Sequence, residues 1–250
     1  MKTPAAIALL CLATLASCEE NKKSAPAIVE STIPSPPTGN RVADASAKVR
    51  PGLERDLTAA GLLFGDPVFI RAFKEENELE LFVRNRVSGK FDLFRTYPIA
   101  AASGLLGPKL LEGDGQVPEG FYFVPPDAMK PDSQFHLAFN IGYPNEYDRV
   151  HHRTGTVIMV HGNQVSIGCL AMTDEKIEEI YTLCDAAHHG GQPFFRVHIF
   201  PFRMTPERMQ KANGDSNEPF WNNLREGYDL FEKNRIPPEV TVVDGIYRFK

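Results

Sequence analysis

Between Pro67 and Tyr97 three β-rich runs follow one another with only short polar breaks, and this stretch narrows the choice of fold more than any other. Pro67 to Phe73 and Glu78 to Val87 alternate or carry mostly Val, Ile, Phe and Leu, with Glu75-Glu76-Asn77 between them, and Lys90 to Tyr97 supplies a third run. Together they predict a β-meander. Gly120 to Val124, Phe135 to Phe139, Val157 to His161 and Phe194 to Phe200 add further short strands, joined by loops rich in Gly, Pro and Asp.

Helical signals come later in the chain. Thr173 or Asp174 caps a run from Glu175 to Ala187, whose Ile177, Ile180, Tyr181, Leu183 and Cys184 form an apolar stripe. After Pro201 the spacing predicts helices over Thr205 to Ala212 and Pro219 to Lys233. The second has Phe220, Trp221, Leu224, Tyr228 and Phe231 on one side, a stripe for packing against the β domain. Val240 to Phe249 reads as a closing strand. The expected class is α+β, mainly β.

The first residues set the compartment. Met1-Lys2-Thr3-Pro4 is followed by an apolar run from Ala5 to Ala16, too short to span a bilayer, and then by Ser17-Cys18. One early positive charge, a short apolar core and small residues before a cut site make residues 1–17 a secretory signal. Residues 18–51 turn to Lys, Ser, Pro, Thr, Asn and Ala, as in Ile33-Pro34-Ser35-Pro36-Pro37, and are expected to be a flexible spacer. Residues 52–204 would form the main folded domain, and residues 205–250 a helical extension with the closing strand.

The net charge of −5 is spread rather than clustered, which argues against a nucleic-acid groove or a basic membrane-binding stripe. Of four cysteines, Cys11 leaves with the signal and Cys18 lies at the cut site, so Cys169 and Cys184 remain. A disulfide between them is disfavoured because Cys184 falls on the core face of its helix. His151-His152, His188-His189 and His198, with Cys169, could suggest zinc. Adjacent histidines usually point apart and no ligand spacing is present, so neither a metal nor a cofactor is expected. Asp114, Glu119 and Asp148 are not paired by anything in the sequence as glycoside hydrolysis would require.

Chemistry concentrates between Val157 and Leu170. His161 ends a strand, and Cys169 precedes a capped helix, where the macrodipole and free N–H groups would lower its pKa. An imidazole nearby can take the thiol proton. Gly162 and Gly168 allow tight turns beside a substrate.

This stretch, His161-Gly162 followed by Ser166-Ile167-Gly168-Cys169, resembles the signature of the L,D-transpeptidase (YkuD-type) family. A second block, Gly107-Pro108-Lys109, Glu112-Gly113-Asp114 and Val117-Pro118-Glu119-Gly120-Phe121-Tyr122, resembles the same family. A narrower likeness to its YafK-type branch runs through Tyr143-Pro144-Asn145, Tyr147-Asp148-Arg149 and Pro201 to Thr205. The resemblance implies a β-sandwich catalytic domain with a C-terminal helical extension. It also implies a cysteine acyl-transfer enzyme acting on peptidoglycan stem peptides. Cys169 would be the nucleophile and His161 the proton donor and acceptor. The Gly162 carbonyl would orient His161, and the Gly168 and Cys169 amides would form an oxyanion hole. Ser166 would shape the substrate loop.

The leader resembles a bacterial lipobox, which implies lipidation at Cys18, a membrane anchor, and a periplasmic place in the cell envelope. Three functions follow as alternatives: a transpeptidase passing the acyl group to an amine, a thiol amidase releasing a covalently attached outer-membrane lipoprotein, and a non-catalytic cell-wall-binding lipoprotein. Ile167 and Ala171 stand where many family members have His and Arg. The missing cation is expected among Arg149, Arg153, Arg196 and Arg203, the first two as substrate-binding residues.

Overall fold

The computed structural model describes residues 40–250. The signal segment, Cys18 and the spacer up to residue 39 lie outside the described residues. The chain enters through α1 (Arg41–Ala59) and runs into β1 (Val68–Phe73), β2 (Glu78–Arg84), β3 (Phe91–Pro98), β4 (Ala101–Ala102) and β5 (Gly120–Val124). There follow β6 (Met129–Lys130), β7 (Ala138–Asn140), α2 (Glu146–Val150), β8 (Met159–His161), β9 (Leu170–Ala171), α3 (Asp174–His189) and β10 (Phe195–Phe200). The chain closes with α4 (Pro206–Lys211), α5 (Glu218–Asn234), β11 (Val240–Val243) and β12 (Ile246–Phe249).

Two five-stranded sheets form the frame, one ordered β3-β2-β1-β10-β5 and the other β4-β9-β8-β7-β6. The predicted meander is the β3-β2-β1 part of the first sheet, and it is antiparallel. β10 joins β1 in parallel, as a crossover permits. Inward residues of both sheets, among them Ile70, Leu81, Val197, Phe139, Val160 and Leu170, share one core with Ile177, Ile180 and Cys184 of α3. The α+β class with dominant sheets and C-terminal helices is thus the observed architecture. Cys169 and Cys184 are both free thiols.

Two expectations need correction. Residues 41–51, read as flexible spacer, are the first half of α1. Val42, Ala45, Val49, Leu53 and Leu57 recur every three or four residues and bury one face against the core, while Asn40 caps the start by accepting the Ala43 N–H. Burying Leu53 and Leu57 alone contributes roughly 1.5–3 kcal/mol each, enough to tolerate Pro51 inside the helix. Lys48 to Glu178 adds an ion pair between α1 and α3.

The closing strand is in fact a hairpin. Val243 pairs with Ile246, and Asp244-Gly245 between them both have positive φ, 53° and 71°. That is the two-residue turn whose backbone twist suits antiparallel strands. α5 lays Trp221, Leu224, Tyr228 and Phe231 against Phe73, Phe200, Phe202 and Phe69 of the sheet side, so the extension shares the domain's aromatic core.

Candidate active site

β8 and β9 run parallel, with Val160 beside Leu170 and His161 beside Ala171. One step back, Met159 lies beside Cys169, and its N–H donates to Sγ at 3.4 Å. His161 closes β8 and Cys169 stands in the bend immediately before β9, so two neighbouring strands bring imidazole and thiol to adjoining positions, two residues apart in register with Cα atoms roughly 8 Å apart.

His161 is buried under Phe135, whose ring centroid lies 4.8 Å away. Its Nδ1 is 2.5 Å from the Gly162 carbonyl. A carbonyl can only accept, so Nδ1 carries the proton and Nε2 keeps its lone pair. The next turn is locked to α3. Asn163 N–H donates to Asp174 Oδ1 at 2.7 Å, and Thr173 N–H donates to the Asn163 carbonyl. A Cβ on Gly162 would sit 2.6 Å from Asp174 Oδ1 and 2.7 Å from the Phe135 carbonyl, so the packing requires glycine there.

Cys169 is half-buried. Burial pushes its thiol up from the ordinary value, and the Met159 N–H and the charge of Lys109 offset this only in part. Burial also pulls the His161 imidazole down, against the opposing Gly162 carbonyl. Both shifts favour the neutral forms at neutral pH, so the resting pair is thiol and imidazole rather than thiolate and imidazolium. The expected activation by a helix end is corrected: Cys169 precedes β9, and α3 begins five residues later at Asp174.

The nucleophile loop is held by hydroxyls. Ser166 Oγ donates to the Cys169 carbonyl at 2.6 Å and accepts the Cys169 N–H at 3.1 Å. Gly168 N–H donates to Ser103 Oγ at 2.6 Å, and Ser103 donates onward to the Gly115 carbonyl at 2.7 Å. Both amides expected to form an oxyanion hole are therefore engaged, and a substrate oxygen would have to displace a serine hydroxyl. Gly168 has φ of 100°, a conformation open to glycine, and the Gln116 carbonyl lies 3.3 Å from where a Cβ would be. Val157, Val165 and Ile167 are exposed in the segments on either side of the thiol, Ile167 at 86%.

None of the four arginines supplies a free cation beside the thiol. Arg153 is buried, paired with Asp148 at 2.8 Å and stacked over Tyr147 and Phe220. Arg149 is exposed and donates to the Pro144 carbonyl just before its own helix. Arg203 bridges Glu78 and Glu80, and Arg196 pairs with Glu239. The cation that bears on Cys169 is Lys109, buried in an ion pair with Asp114 at 2.5 Å. Lys109 sits in the Gly107-Pro108-Lys109 block, where nothing local marks a role for it. Nothing local marks Ser103 either, which lies 65 residues from its partner. The histidines weighed for zinc diverge: His188 meets Gln192, His189 meets Asp185, His151 meets Gly245, and His198 is enclosed by Phe69, Phe121 and Phe200.

Three comparisons bear on this arrangement. The family model described as YkuD, L,D-transpeptidase catalytic domain, matches residues 67–229. The protein named "Putative L,D-transpeptidase YafK" of Escherichia coli K12 is 46% identical over 185 residues, covering 74% of this chain and 74% of its own. Among solved structures, the helical cell shape determining protein Pgp2 of Campylobacter jejuni aligns with a TM-score of 0.44 and 18% identity, over 77% of this chain and 80% of that one. Bd1075 of Bdellovibrio bacteriovorus aligns with a TM-score of 0.38 and 20% identity, over 67% and 58%.

Proposed function

The chain belongs to the L,D-transpeptidase (YkuD) catalytic domain family, and from that premise we propose that it performs cysteine acyl transfer on peptidoglycan stem peptides in the periplasm. The observation that carries this reading is the placement of His161 at the end of β8 and of Cys169 immediately before its parallel neighbour β9, with the imidazole oriented by the Gly162 carbonyl.

In the proposed reaction Cys169 Sγ attacks the carbonyl carbon of the third stem residue as His161 Nε2 takes the thiol proton. The tetrahedral intermediate collapses, the bond to the terminal D-alanine nitrogen breaks, and His161 returns the proton to that leaving amine. A thioester remains on Cys169. An acceptor amine then attacks the thioester carbon, His161 takes the amine proton, and the proton passes to the departing thiolate. Because imidazole and thiol are both neutral at rest, His161 works as a general base in the attack rather than as a standing ion-pair partner. Ser166 keeps the Cys169 backbone in place during both steps.

The N-terminal signal and lipidation at Cys18 remain part of this proposal. They would tether the domain to a membrane near the wall. The amidase alternative shares every step to the thioester and differs only in delivering it to water.

Mass spectrometry of peptidoglycan, some of it bearing covalently attached lipoprotein, after incubation with the protein or its Cys169→Ala variant tests the proposal. New crosslinks or exchanged terminal D-amino acids that require the thiol are the expected result. Release of lipoprotein without any new bond would assign the amidase instead, and identical products from the variant would overturn cysteine catalysis altogether.

A further inference from the structure

Behind the active-site loop lies a fully buried carboxylate whose two oxygens are divided between the catalytic domain and the C-terminal helix. Glu119 Oε2 accepts the indole N–H of Trp221 on α5 at 2.8 Å. Glu119 Oε1 accepts the Gly107 N–H at 2.6 Å and the Lys74 ammonium at 3.0 Å. Lys74 spends its other hydrogens on the Gly107 and Val117 carbonyls, at 2.8 and 3.0 Å. The segment from Gly107 to Val117 is therefore gripped at both ends by one buried cluster. Leu106 packs on the apolar side of the same grip, against the core that contains Trp221.

The gripped segment faces the nucleophile at several points. Asp114 ties the segment together by accepting Lys109 Nζ and the Leu110, Leu111 and Gln116 amides. Its Gly115 carbonyl receives Ser103, whose oxygen holds the Gly168 amide, and its Gln116 carbonyl abuts Gly168. Lys109 Cε packs on Gly155, four residues before the Met159 amide that donates to the thiol.

We propose that Trp221 and Glu119 are positioning residues, through which the C-terminal helix holds the Ser103–Val117 loop in the place that sets the conformation and reactivity of the Cys169 loop. This rests on the reading of Cys169 as nucleophile. The helix touches neither reacting side chain, so its effect must pass through the loop. A loosened loop carries the Lys109 charge away, which makes the thiolate less favourable, and frees Gly168 from its Ser103 anchor, which lets the thiol leave its place beside the Met159 amide and lose that donor as well.

Alkylation by iodoacetamide, followed peptide by peptide across pH, tests the proposal without any substrate. Trp221→Phe keeps an aromatic ring beside Phe202, now 5.3 Å between centroids, and deletes the indole donor together with part of the ring. Cys184 is fully buried and reports on the fold in the same sample. The expected result is slower labelling of Cys169 at neutral pH and an upward shift of its titration, with Cys184 protected. Each pH unit of that shift lowers the thiolate fraction about tenfold. Ser103→Ala cuts the other end of the connection and is expected to act in the same direction. An unchanged Cys169 profile in either folded variant overturns the proposal. So does labelling of Cys184 in step with Cys169 in Trp221→Phe, because the whole domain would then have loosened. Failure of the peptidoglycan chemistry with a shifted Cys169 profile would remove the proposed substrate and leave the loop mechanism standing.

Discussion

Replacing Arg153 by Ala separates a structural cation from a substrate-binding one. Asp148, 0% exposed, accepts from Arg153 Nη1 at 2.8 Å, Tyr122 Oη at 3.1 Å and the Asn145 N–H at 3.1 Å. Burial already raises its carboxyl above the ordinary range, with Arg153 as the largest opposing influence. Removing one partner of a buried pair costs about 3–5 kcal/mol, because the other charge is left behind. Two donors would still serve Asp148, so the lower end, about 3 kcal/mol, is expected. For a chain of this size that lowers Tm by about 6–12 °C.

The pH signature is specific. Without Arg153 the Asp148 carboxyl rises further, so the folded form binds a proton that the unfolded chain does not hold above the ordinary aspartate range. Stability relative to the wild type then recovers as pH is lowered toward that range. Thermal unfolding followed by near-ultraviolet circular dichroism at several pH values measures both effects. Adding Asp148→Asn should recover much of the loss. A variant with unchanged Tm and a raised KM for stem peptide would refute the argument and restore Arg153 as a substrate ligand.

Two further predictions follow from buried histidines. Because His161 must be neutral to act as a base and burial holds its pKa below the usual imidazole value, the acid limb of kcat/KM should lie below about 6.5; a limb above that value, measured on defined muropeptides, would contradict the assignment. His198 has both ring nitrogens unpartnered within an aromatic enclosure, and burial, with Arg196 and Arg71 adding to it, holds its pKa well down. The unfolded chain therefore binds protons that the folded one refuses below about pH 6.5, and stability falls with falling pH there. His198→Phe should raise stability by about 1 kcal/mol or more near pH 5.5 and flatten that fall in chemical denaturation; a less stable variant would show that the enclosure does not admit a phenyl ring.

The meander, the α3 and α5 stripes and the His161 and Cys169 segment were legible because each is written in local periodicity or in a contiguous motif. The Asp244-Gly245 turn is equally local, but it sits inside a run apolar enough on both sides to read as one strand. α1 was hidden for a different reason. Its N-terminal half has the composition of a spacer and contains Pro51, and its apolar face has value only where α3 and the sheets offer a surface to cover.

The site divides along the same line. Residue types within one contiguous stretch put forward the thiol, the imidazole and the glycines between them as candidates, because all four lie within nine residues of chain. Whether an arginine is free or spent depends on what lies opposite it: Arg153 meets Asp148 and two aromatic rings, while Lys109, unremarked in its motif, bears on the thiol. Protonation state was likewise set by tertiary burial, which reversed the activation expected from a nearby helix start. The sequence by itself determined which groups can react and which stripes must be covered. Only the tertiary structure decided which charges are neutralised, which amides are already bonded and which distant helix supports the loop, because each of those depends on partners that chain order does not bring together.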